Sequence, residues 1–431
     1  MSDFVQFNAK NRAKARFLPL KLRKEPRLSE NFAVIYRKIP QVRQAPSCLA
    51  ENLHLLYKKN IMVYQNSATK TIGILTAGGD CPGLNAAIRG VCRAAHERYG
   101  ITIIGIAEGF RGLIEGNVHK LNPSDFSGIL TRGGTILGAS RIKPFKIPSG
   151  LIDGIAEEEN VLAIKKTYKK LGLDCLVVLG GNGTNTIGSQ LFRQGLNVIG
   201  LPKTIDNDIM GTDRSFGFNS ALAIGTEAID RLHSTAQSHS RVIVIELMGH
   251  KTGWLALYAG VAGGGDVILI PEIPYNIKTI GAHLEKRAKS GKAFSIVVAA
   301  EGALSVKEAA MDKHNRKKYR AENGPSVAYR IAREIHEETG METRATVLGY
   351  VQRGGIPSAS DRVLATSLGT AAARLLAKGE YGRMVALCGN EISSVELSVP
   401  EGKVKTVPPD HYMIDTAIAV GTCMGEMKNF C

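Results

Sequence analysis

Several features that mark membrane, secreted or metal-scaffold proteins are missing from this sequence. No apolar run approaches the roughly 20 residues that a membrane span needs, and the opening residues MSDFVQFNAK lack the apolar block of a secretory signal. The seven cysteines are scattered, with no CxxC pair and no histidines at metal-ligand spacing. No segment repeats at a fixed period. These absences predict a cytoplasmic protein with free thiols.

Positive charge is unevenly distributed along the chain. Residues 1–70 carry fourteen lysines and arginines against four acids, so ten of the sixteen net positive charges lie there. A basic arm of this kind can bind nucleic acid or an acidic membrane surface. The alternative is a solvated arm that lies over its own body or over a neighbouring subunit. The alternative is favoured because no recognisable nucleic-acid-binding pattern accompanies the basic residues. We therefore predict neither a membrane nor a nucleic-acid partner.

From Thr71 onward, short apolar runs alternate with helical patterns. TIGILT ends in glycines and precedes LNAAIRGVCRAAHER, whose apolar residues recur at helical spacing, and LVVLGGNG precedes TNTIGSQLFRQ in the same way. Further strands are predicted at NVIGLP, RVIVIELMG, DVILIP, FSIVVAA and MVALC. Continuous Val, Ile and Leu runs are typical of parallel strands covered on both faces. We therefore predict an α/β fold with doubly wound, largely parallel sheets.

Two glycine-rich turns follow predicted strands, at residues 78–83 and 180–183. A glycine turn that opens a helix lets backbone N–H groups approach anionic oxygens, and the helix dipole favours negative charge there. Neither turn is a GxxxxGK[ST] loop or a spaced GxGxxG. Taken alone, each is consistent both with a phosphate cradle and with a strand-to-helix turn that needs positive φ.

The segment PKTIDND places two acids directly after a buried strand. Asp206 and Asp208 are two residues apart, so on an extended segment they would face the same way, with Lys203 just before them. Acids in this position suit a general base and a metal or water ligand, which phosphoryl transfer requires. The alternative is an Asx-turn and helix cap with no chemistry.

The motifs GGDCPGLN, GGNGT, PKTIDND, MGHKTGW, EGA and TRATVLGYVQRGG stand in an order that resembles the phosphofructokinase family. Members of this family phosphorylate the 1-hydroxyl of fructose 6-phosphate. The resemblance runs from about Thr71 to about Gly379. It implies a glycolytic enzyme that uses ATP and Mg²⁺ and forms a homo-oligomer, dimer or tetramer, whose sites are shared between subunits.

The resemblance implies roles for individual residues. Asp206 would take the proton from the sugar hydroxyl, and Arg141 would neutralise charge between donor and acceptor. Asp208 would help to organise the metal. The donor would contact Arg141, with Lys146 nearby as a further positively charged residue. The other donor-binding positions would be Gly79, Gly180, Gly181, Asn182, Gly183 and Thr184.

The same resemblance implies an acceptor site. Its residues would be Thr204, Ile205, Asp206, Arg241, Met248, Gly249, His250, Glu301, Arg344, Tyr350, Gln352 and Arg353. Arg241, Arg344 and Arg353 would hold the 6-phosphate, because guanidinium groups fit phosphate oxygens bidentately. In the family, the residues matching Arg241 and Arg344 come from the adjacent subunit. His250 stands where the family usually has arginine, and Tyr350 where bacterial ATP enzymes have histidine.

Two positions distinguish ATP-dependent from pyrophosphate-dependent members of the family, and in this sequence their residues indicate different donors. Gly183 matches ATP enzymes, since an aspartate there crowds the α-phosphate, whereas Lys203 matches pyrophosphate users. A lysine only adds charge, so we expect the space at Gly183 to decide for ATP, as in an atypical subgroup of ATP enzymes with this pairing. A pyrophosphate-dependent enzyme is the alternative.

Asn182 departs from the family, which has an aspartate near Mg²⁺ at this position. A neutral amide is a weaker ligand for a hard cation. Either Asp208 and the nucleotide phosphates hold Mg²⁺ without it, or metal affinity and turnover are reduced. A catalytically weak regulatory paralogue is therefore a further alternative.

The family's two similar α/β domains are interleaved in sequence, with the active site in the cleft between them. The resemblance implies a basic N-terminal extension at residues 1–70. An ATP-binding domain would comprise residues 71–217 and 352–395. A sugar-phosphate-binding domain would comprise residues 218–351 and 396–431.

Overall fold

The chain folds around two β-sheets. A computed structural model describes residues 67–145, 155–324 and 326–426, which all belong to the unit Met62–Cys431. Most of the predicted basic extension, Lys146 and the last five residues lie outside this described part. Among the described residues, none of the helices has the length and hydropathy that crossing a bilayer requires.

Both sheets are built mainly from parallel strands. The strands are β1 (Thr71–Thr76), β2 (Thr102–Ile106), β3 (Val118–Leu121), β4 (Cys175–Gly180), β5 (Val198–Thr204), β6 (Phe216–Gly217), β7 (Val242–Leu247), β8 (Val267–Leu269), β9 (Ser295–Ala300), β10 (Thr343–Val347), β11 (Arg383–Cys388) and β12 (Glu391–Glu396). The larger sheet has the order β12-β11-β5-β4-β1-β2-β3, and β6 pairs with the end of β5. The smaller sheet has the order β10-β7-β9-β8.

The largely parallel α/β fold predicted from the sequence is confirmed. Every residue of β4, β7 and β9 is buried, because helices cover both faces of these largely apolar strands. Two strands at the edges of the larger sheet run antiparallel, β3 on β2 and β12 on β11. Sequence patterns did not indicate either edge strand, because VHKL and EISSVE are polar and partly exposed.

Helices connect most of the parallel strands. They are α1 (Leu84–Arg93), α2 (Phe110–Glu115), α3 (Ile155–Lys170), α4 (Asn182–Arg193), α5 (Phe218–His239), α6 (Trp254–Ala262), α7 (Ile277–Lys289), α8 (Val306–Ala309), α9 (Lys313–Glu322), α10 (Val327–Thr339), α11 (Ala359–Lys378) and α12 (Tyr412–Ala419). A π-helical turn, Ala94–Arg98, continues α1, and a 3₁₀ turn spans Gly349–Arg353.

Both glycine-rich turns lead into helices, as the sequence predicts. Gly83 precedes α1 with a left-handed φ of 105°, a conformation that glycine adopts without steric cost. The second turn is shorter than expected. Helix α4 begins at Asn182, so Gly181 alone separates β4 from the helix. The first N–H groups of α4 therefore lie directly at the end of the central strand.

The two sheets share an apolar core. One cluster of buried side chains contains Ile72 and Leu179 from the larger sheet together with Ile245 and Val298 from the smaller one. The carboxyl ends of β1, β4, β5, β7 and β9 are followed by residues that line one cavity. The fold thus brings five strand ends from two sheets to one place.

Helices α1 and α11 cross with their backbones in close contact. A Cβ atom added to Gly90 would lie 2.9 Å from the carbonyl oxygen of Thr366, and one added to Gly369 would lie 2.7 Å from that of Ala87. Glycine is required at this crossing because neither backbone leaves room for a methyl group.

This contact predicts that Gly90→Ala destabilises the protein by about 1–3 kcal/mol through overpacking. Gly225→Ala is a matched control in α5, where an added Cβ would meet its nearest neighbours at 3.4 Å. The control should be neutral or stabilise by up to about 1 kcal/mol, because alanine favours helix. Thermal unfolding followed by circular dichroism measures both, and equal shifts would contradict the close crossing.

Candidate active site

A cavity of about 710 Å³ lies where the parallel strands of both sheets end. This volume suits a small-molecule ligand, and ligands of open α/β sheets bind beyond the carboxyl ends of the strands. The sequence-predicted residues that line it are Gly79, Arg141, Gly181, Asn182, Gly183, Thr184, Lys203, Thr204, Asp206, Asp208, Met248, His250, Glu301, Tyr350 and Arg353.

The start of α4 forms one wall of the cavity. The first helical hydrogen bond runs from the N–H of Asn185 to the carbonyl of Gly181 at 3.0 Å. The N–H groups of Asn182, Gly183 and Thr184 consequently precede the helical hydrogen-bond pattern, where anions bind favourably. Gly180 does not line the cavity. A Cβ there would lie 2.2 Å from Thr184 Oγ1, so glycine is needed for packing.

Gly183 has room that Gly180 lacks. A Cβ added at Gly183 would meet no atom closer than Lys143 Cε, at 3.9 Å. The absence of a side chain at this position is therefore not required by the protein's own packing. The space at Gly183 opens onto the cavity, where a donor would lie.

The loop after β5 does not have the extended shape expected from the sequence. Asn207 adopts a left-handed φ of 52°, and its side-chain oxygen accepts a hydrogen bond from the N–H of Ser215 at 3.1 Å. The chain turns at this residue because an asparagine tolerates the conformation and its amide ties the turn to the loop. Asp206 and Asp208 nevertheless both line the cavity. A turn, rather than strand alternation, brings them to the same side.

Burial changes the protonation of the groups in this loop. The pKa of Asp206 is raised to about 7, first by burial and then by the negative charge of Asp208, against the opposing effect of Arg353. Burial also raises the pKa of Asp208 and lowers that of the Lys203 ammonium. One oxygen of Asp206, Oδ1, is buried and has no hydrogen-bond partner. Asp206 is thus a carboxyl group able to gain or lose a proton near neutral pH.

Asn182 and Asp208 are in direct contact. Nδ2 of Asn182 donates to the Asp208 carboxylate Oδ2 and to its backbone carbonyl, both at 3.0 Å. Oδ1 of Asn182 is buried with no hydrogen-bond partner. Within the described residues, no group of three or more His, Cys, Asp or Glu side chains could hold a metal by itself. The oxygens of Asn182, Asp206 and Asp208 fit a hard cation that takes its remaining ligands from phosphates and water.

Cations outnumber acids on the cavity wall. Three carboxylates, those of Asp206, Asp208 and Glu301, face six lysines and arginines. These six are Arg141, Lys143, Lys203, Lys251, Arg353 and Lys403. Lys203 Nζ also donates to the carbonyl of Gly79. An excess of cations in a partly enclosed space favours ligands with several negative charges.

The smaller sheet and the 3₁₀ turn supply the opposite wall. The guanidinium of Arg353 lies over Gly79, where an added Cβ would be 2.2 Å from Nη1. The N–H of His250 donates to the Glu301 carboxylate at 2.7 Å. Gln352 is fully buried and does not line the cavity. Its Oε1 accepts a hydrogen bond from the N–H of Met248 at 2.8 Å, which positions Met248.

Four other predicted residues lie away from the cavity wall. The side chain of Ile205 is 1% exposed and packs in the core. Gly249 has a φ of 147° and no room for a Cβ, which would lie 2.6 Å from the carbonyl oxygen of Thr252. Arg241 and Arg344 both pair with Glu342, at 2.8 and 2.5 Å. Arg241 precedes β7 and Met248 follows it, so the strand separates the arginine from the cavity by about 20 Å, at about 3.3 Å per residue.

Sequence reasoning missed several cavity residues. Lys251 lies inside the motif MGHKTGW and Lys143 two residues after Arg141, but neither lysine was assigned a role. Residues 402–404 lie far along the chain from those motifs. The N–H of Lys405 donates to the carbonyl of Asp208 at 2.8 Å and brings this segment to the site. No local pattern indicates such a long-range contact.

The sequence of residues 71–376 matches the profile described as Phosphofructokinase. The chain belongs to the phosphofructokinase family. It is 64% identical over 360 residues to the ATP-dependent 6-phosphofructokinase of Spirochaeta thermophila, covering 83% of this chain and 98% of that protein. It is 45% identical over 342 residues to the pyrophosphate–fructose 6-phosphate 1-phosphotransferase of Amycolatopsis methanolica, covering 79% and 97% respectively. The solved phosphofructokinase of Pichia pastoris in the T-state matches with a TM-score of 0.67 and 33% identity, covering 77% of this chain and 35% of that one.

The family resemblance inferred from the motifs is therefore confirmed. The assignment to an atypical ATP-dependent subgroup stays a prediction, as do the domain boundaries and the role of each residue. Relatives at 50–64% identity are named ATP-dependent 6-phosphofructokinases, and a relative at 45% identity is named for pyrophosphate. The donor must accordingly be argued from the cavity.

The raised pKa of Asp206 predicts that Asp206→Asn stabilises the fold in a pH-dependent way. The carboxyl titrates near 3.8 in the unfolded chain and at about 7 in the folded one. Ionisation therefore costs stability increasingly between these values and fully above pH 7. Removing the charge should raise the free energy of unfolding by about 2–3 kcal/mol more at pH 8 than at pH 5.

Asp230→Asn, on the exposed side of α5, is the control for this prediction. Thermal unfolding at the two pH values compares both variants with the wild type. A stability change in Asp206→Asn that is the same at pH 5 and pH 8 would show that burial does not perturb this carboxyl.

Proposed function

We propose that this protein is a 6-phosphofructokinase that transfers the γ-phosphoryl group of ATP to the 1-hydroxyl of fructose 6-phosphate. The products are fructose 1,6-bisphosphate and ADP. One observation carries the proposal: the Asp206 carboxyl lines the same cavity as the N-terminus of α4. Its pKa is about 7. A base that titrates near neutrality and an anion-binding helix end are the two parts that phosphoryl transfer to an alcohol needs.

The acceptor chemistry centres on Asp206. Its carboxylate takes the proton of the sugar 1-hydroxyl as that oxygen attacks the γ-phosphorus, and the bond from phosphorus to the β-phosphate oxygen breaks. Because Asp206 Oδ1 has no protein hydrogen-bond partner, it is available to the hydroxyl.

The donor lies along α4. The N–H groups of Asn182, Gly183 and Thr184 bind phosphate oxygens, and Arg141 and Lys143 neutralise the charge that moves toward the leaving group. ATP rather than pyrophosphate is the proposed donor, because Gly183 leaves the cavity open beyond the first phosphates. Lys203, which donates to the Gly79 carbonyl, is tied to the loop and leaves that space free.

Mg²⁺ is proposed as the cofactor, held by Asp208, by Asn182 Oδ1 and by donor phosphates. When bound, it neutralises phosphate charge and orients the γ-phosphoryl group. Asn182 is an acceptable substitute for an acid here because Asp208 already supplies a carboxylate 3.0 Å from its amide. A second acid at position 182 would face Asp208 at that distance and repel it.

A second copy of the chain is proposed to complete the acceptor site. Arg353 is the 6-phosphate ligand that lies on the cavity wall. Arg241 and Arg344 lie near the amino ends of β7 and β10, away from the cavity, and both guanidinium groups pair with Glu342. We infer a homo-oligomer in which these arginines reach the neighbour's cavity.

The described cysteines are free thiols, which supports a cytoplasmic location.

The proposed base predicts that Asp206→Asn lowers kcat by about 10³-fold, since an amide cannot accept the proton. The KM for fructose 6-phosphate should stay within about threefold, because the arginines still bind the 6-phosphate. A coupled assay of fructose 1,6-bisphosphate formation gives both values, with Asp230→Asn as control. A loss of tenfold or less would remove Asp206 from the role of base, whereas a wild type that turns over neither ATP nor pyrophosphate would favour a catalytically weak paralogue.

The proposed donor predicts that wild-type protein has a higher kcat/KM with ATP than with pyrophosphate across a Mg²⁺ titration. Gly183→Asp should fold normally, because a side chain fits there, yet lose at least about 100-fold of kcat/KM for ATP through repulsion of phosphate. Gly183→Ala separates size from charge and should lose much less. A wild-type preference for pyrophosphate would reverse the donor assignment and make Lys203 the deciding residue.

A further inference from the structure

We propose that residues 401–405 form a fixed wall of the donor site and that Lys403 binds the phosphates of the donor. These residues lie beyond the part of the chain that matches the family profile. Gly402, Lys403 and Val404 line the cavity, together with the start of α4 and Arg141. The inference rests on the proposed function, because it assumes that the ligand along α4 is a nucleoside triphosphate.

One end of this segment is attached to the loop that carries the two acids. The N–H of Lys405 donates to the Asp208 carbonyl at 2.8 Å. Its Nζ donates to the carbonyls of Thr212 and Asp213, both at 2.9 Å. Its own carbonyl accepts a hydrogen bond from Trp254 Nε1 at 2.8 Å. Lys405 is consequently used in the protein's own hydrogen bonds and cannot serve the ligand.

The other end is attached to the helix that binds the donor. The carboxylate of Glu401 accepts a hydrogen bond from Ser189 Oγ at 2.9 Å and pairs with Arg193. Both partners lie on α4, Ser189 about two turns and Arg193 about three turns beyond the helix start. The segment therefore runs beside α4 from Asp208 toward Arg193, along the wall that the proposed donor follows.

The middle of the segment, residues 402–404, is the part that can contact a ligand. Lys403 lines the cavity, and within the described residues it forms no ion pair with a carboxylate. Its ammonium is thus available for an anion, in contrast to that of Lys405. Arg141 and Lys143 line the same cavity. Lys403 adds a third cation for a triphosphate, and attachment at both ends reduces the conformational freedom lost when it binds.

The test is direct binding of ATP in the presence of MgCl₂ and without sugar phosphate, measured by equilibrium dialysis on the full-length protein. Lys403→Met keeps the aliphatic stem and removes the charge. It should raise the Kd for ATP about tenfold, equivalent to about 1.4 kcal/mol. Lys403→Arg should restore binding to within about twofold. Lys313→Met, at an exposed position on α9 outside the cavity, should match the wild type.

A second variant tests the attachment. Glu401→Gln removes the charge that pairs with Arg193 and should raise the Kd for ATP about threefold or more. Trp254 is the only tryptophan of the chain and contacts Lys405. An unchanged emission spectrum in Glu401→Gln would therefore show that the Lys405 end is intact, so that a higher Kd reports the loss of the Glu401 attachment, and an unchanged Kd would contradict a role for that attachment.

The outcomes distinguish this inference from the proposed function. If Lys403→Met binds ATP within twofold of the wild type, Lys403 is a solvated surface lysine and the inference is wrong. Wild-type turnover of ATP and fructose 6-phosphate in the same preparation would leave the proposed function standing. If the wild type binds no ATP, both are wrong. If Lys403→Met binds ATP more weakly than the wild type does, but the wild type transfers no phosphoryl group, only the proposed function fails.

Discussion

The backbone carbonyl of Asp208 connects the three segments that form the donor site. It accepts hydrogen bonds from Asn182 Nδ2 at 3.0 Å and from the N–H of Lys405 at 2.8 Å. Helix α4, the loop with both acids and residues 401–405 therefore meet at one atom. The carbonyl is placed there by the left-handed turn at Asn207, whose side chain is tied to Ser215. Each wall of the donor site depends on this turn for its position relative to the others.

Burial at this junction has two opposed consequences. Removing Asp206 from water disfavours its charged form, which costs stability above neutral pH. The same burial brings its pKa to the range in which a carboxyl exchanges a proton efficiently. Asn182 limits the cost, because a neutral amide beside Asp208 adds a hydrogen bond without adding a third negative charge. The departure from an acid at this position is thus compatible with a working site.

Sequence patterns predicted seven strands, β1, β4, β5, β7, β8, β9 and β11, and the helices after both glycine turns, but not β2, β6 or β10. They missed the edge strands β3 and β12, because polar residues at a sheet edge resemble loops. At the site, the two acids and the glycine turn were identified, but the extended geometry assumed for Asp206 and Asp208 was wrong. Alternation along a strand cannot anticipate a left-handed residue, since Asn207 is held by contacts with the following loop.

The amino-acid sequence alone determined the fold class, the family and the residue types at the strand ends. These follow from local properties, namely apolar run length, glycine at the turns and short motifs with fixed spacing. Only the tertiary structure decided which charges share a cavity. It placed Arg353 on the wall, left Arg241 and Arg344 with Glu342, and brought residues 402–404 beside α4. Desolvation and long-range hydrogen bonds set these outcomes, and both depend on residues that are distant in the chain.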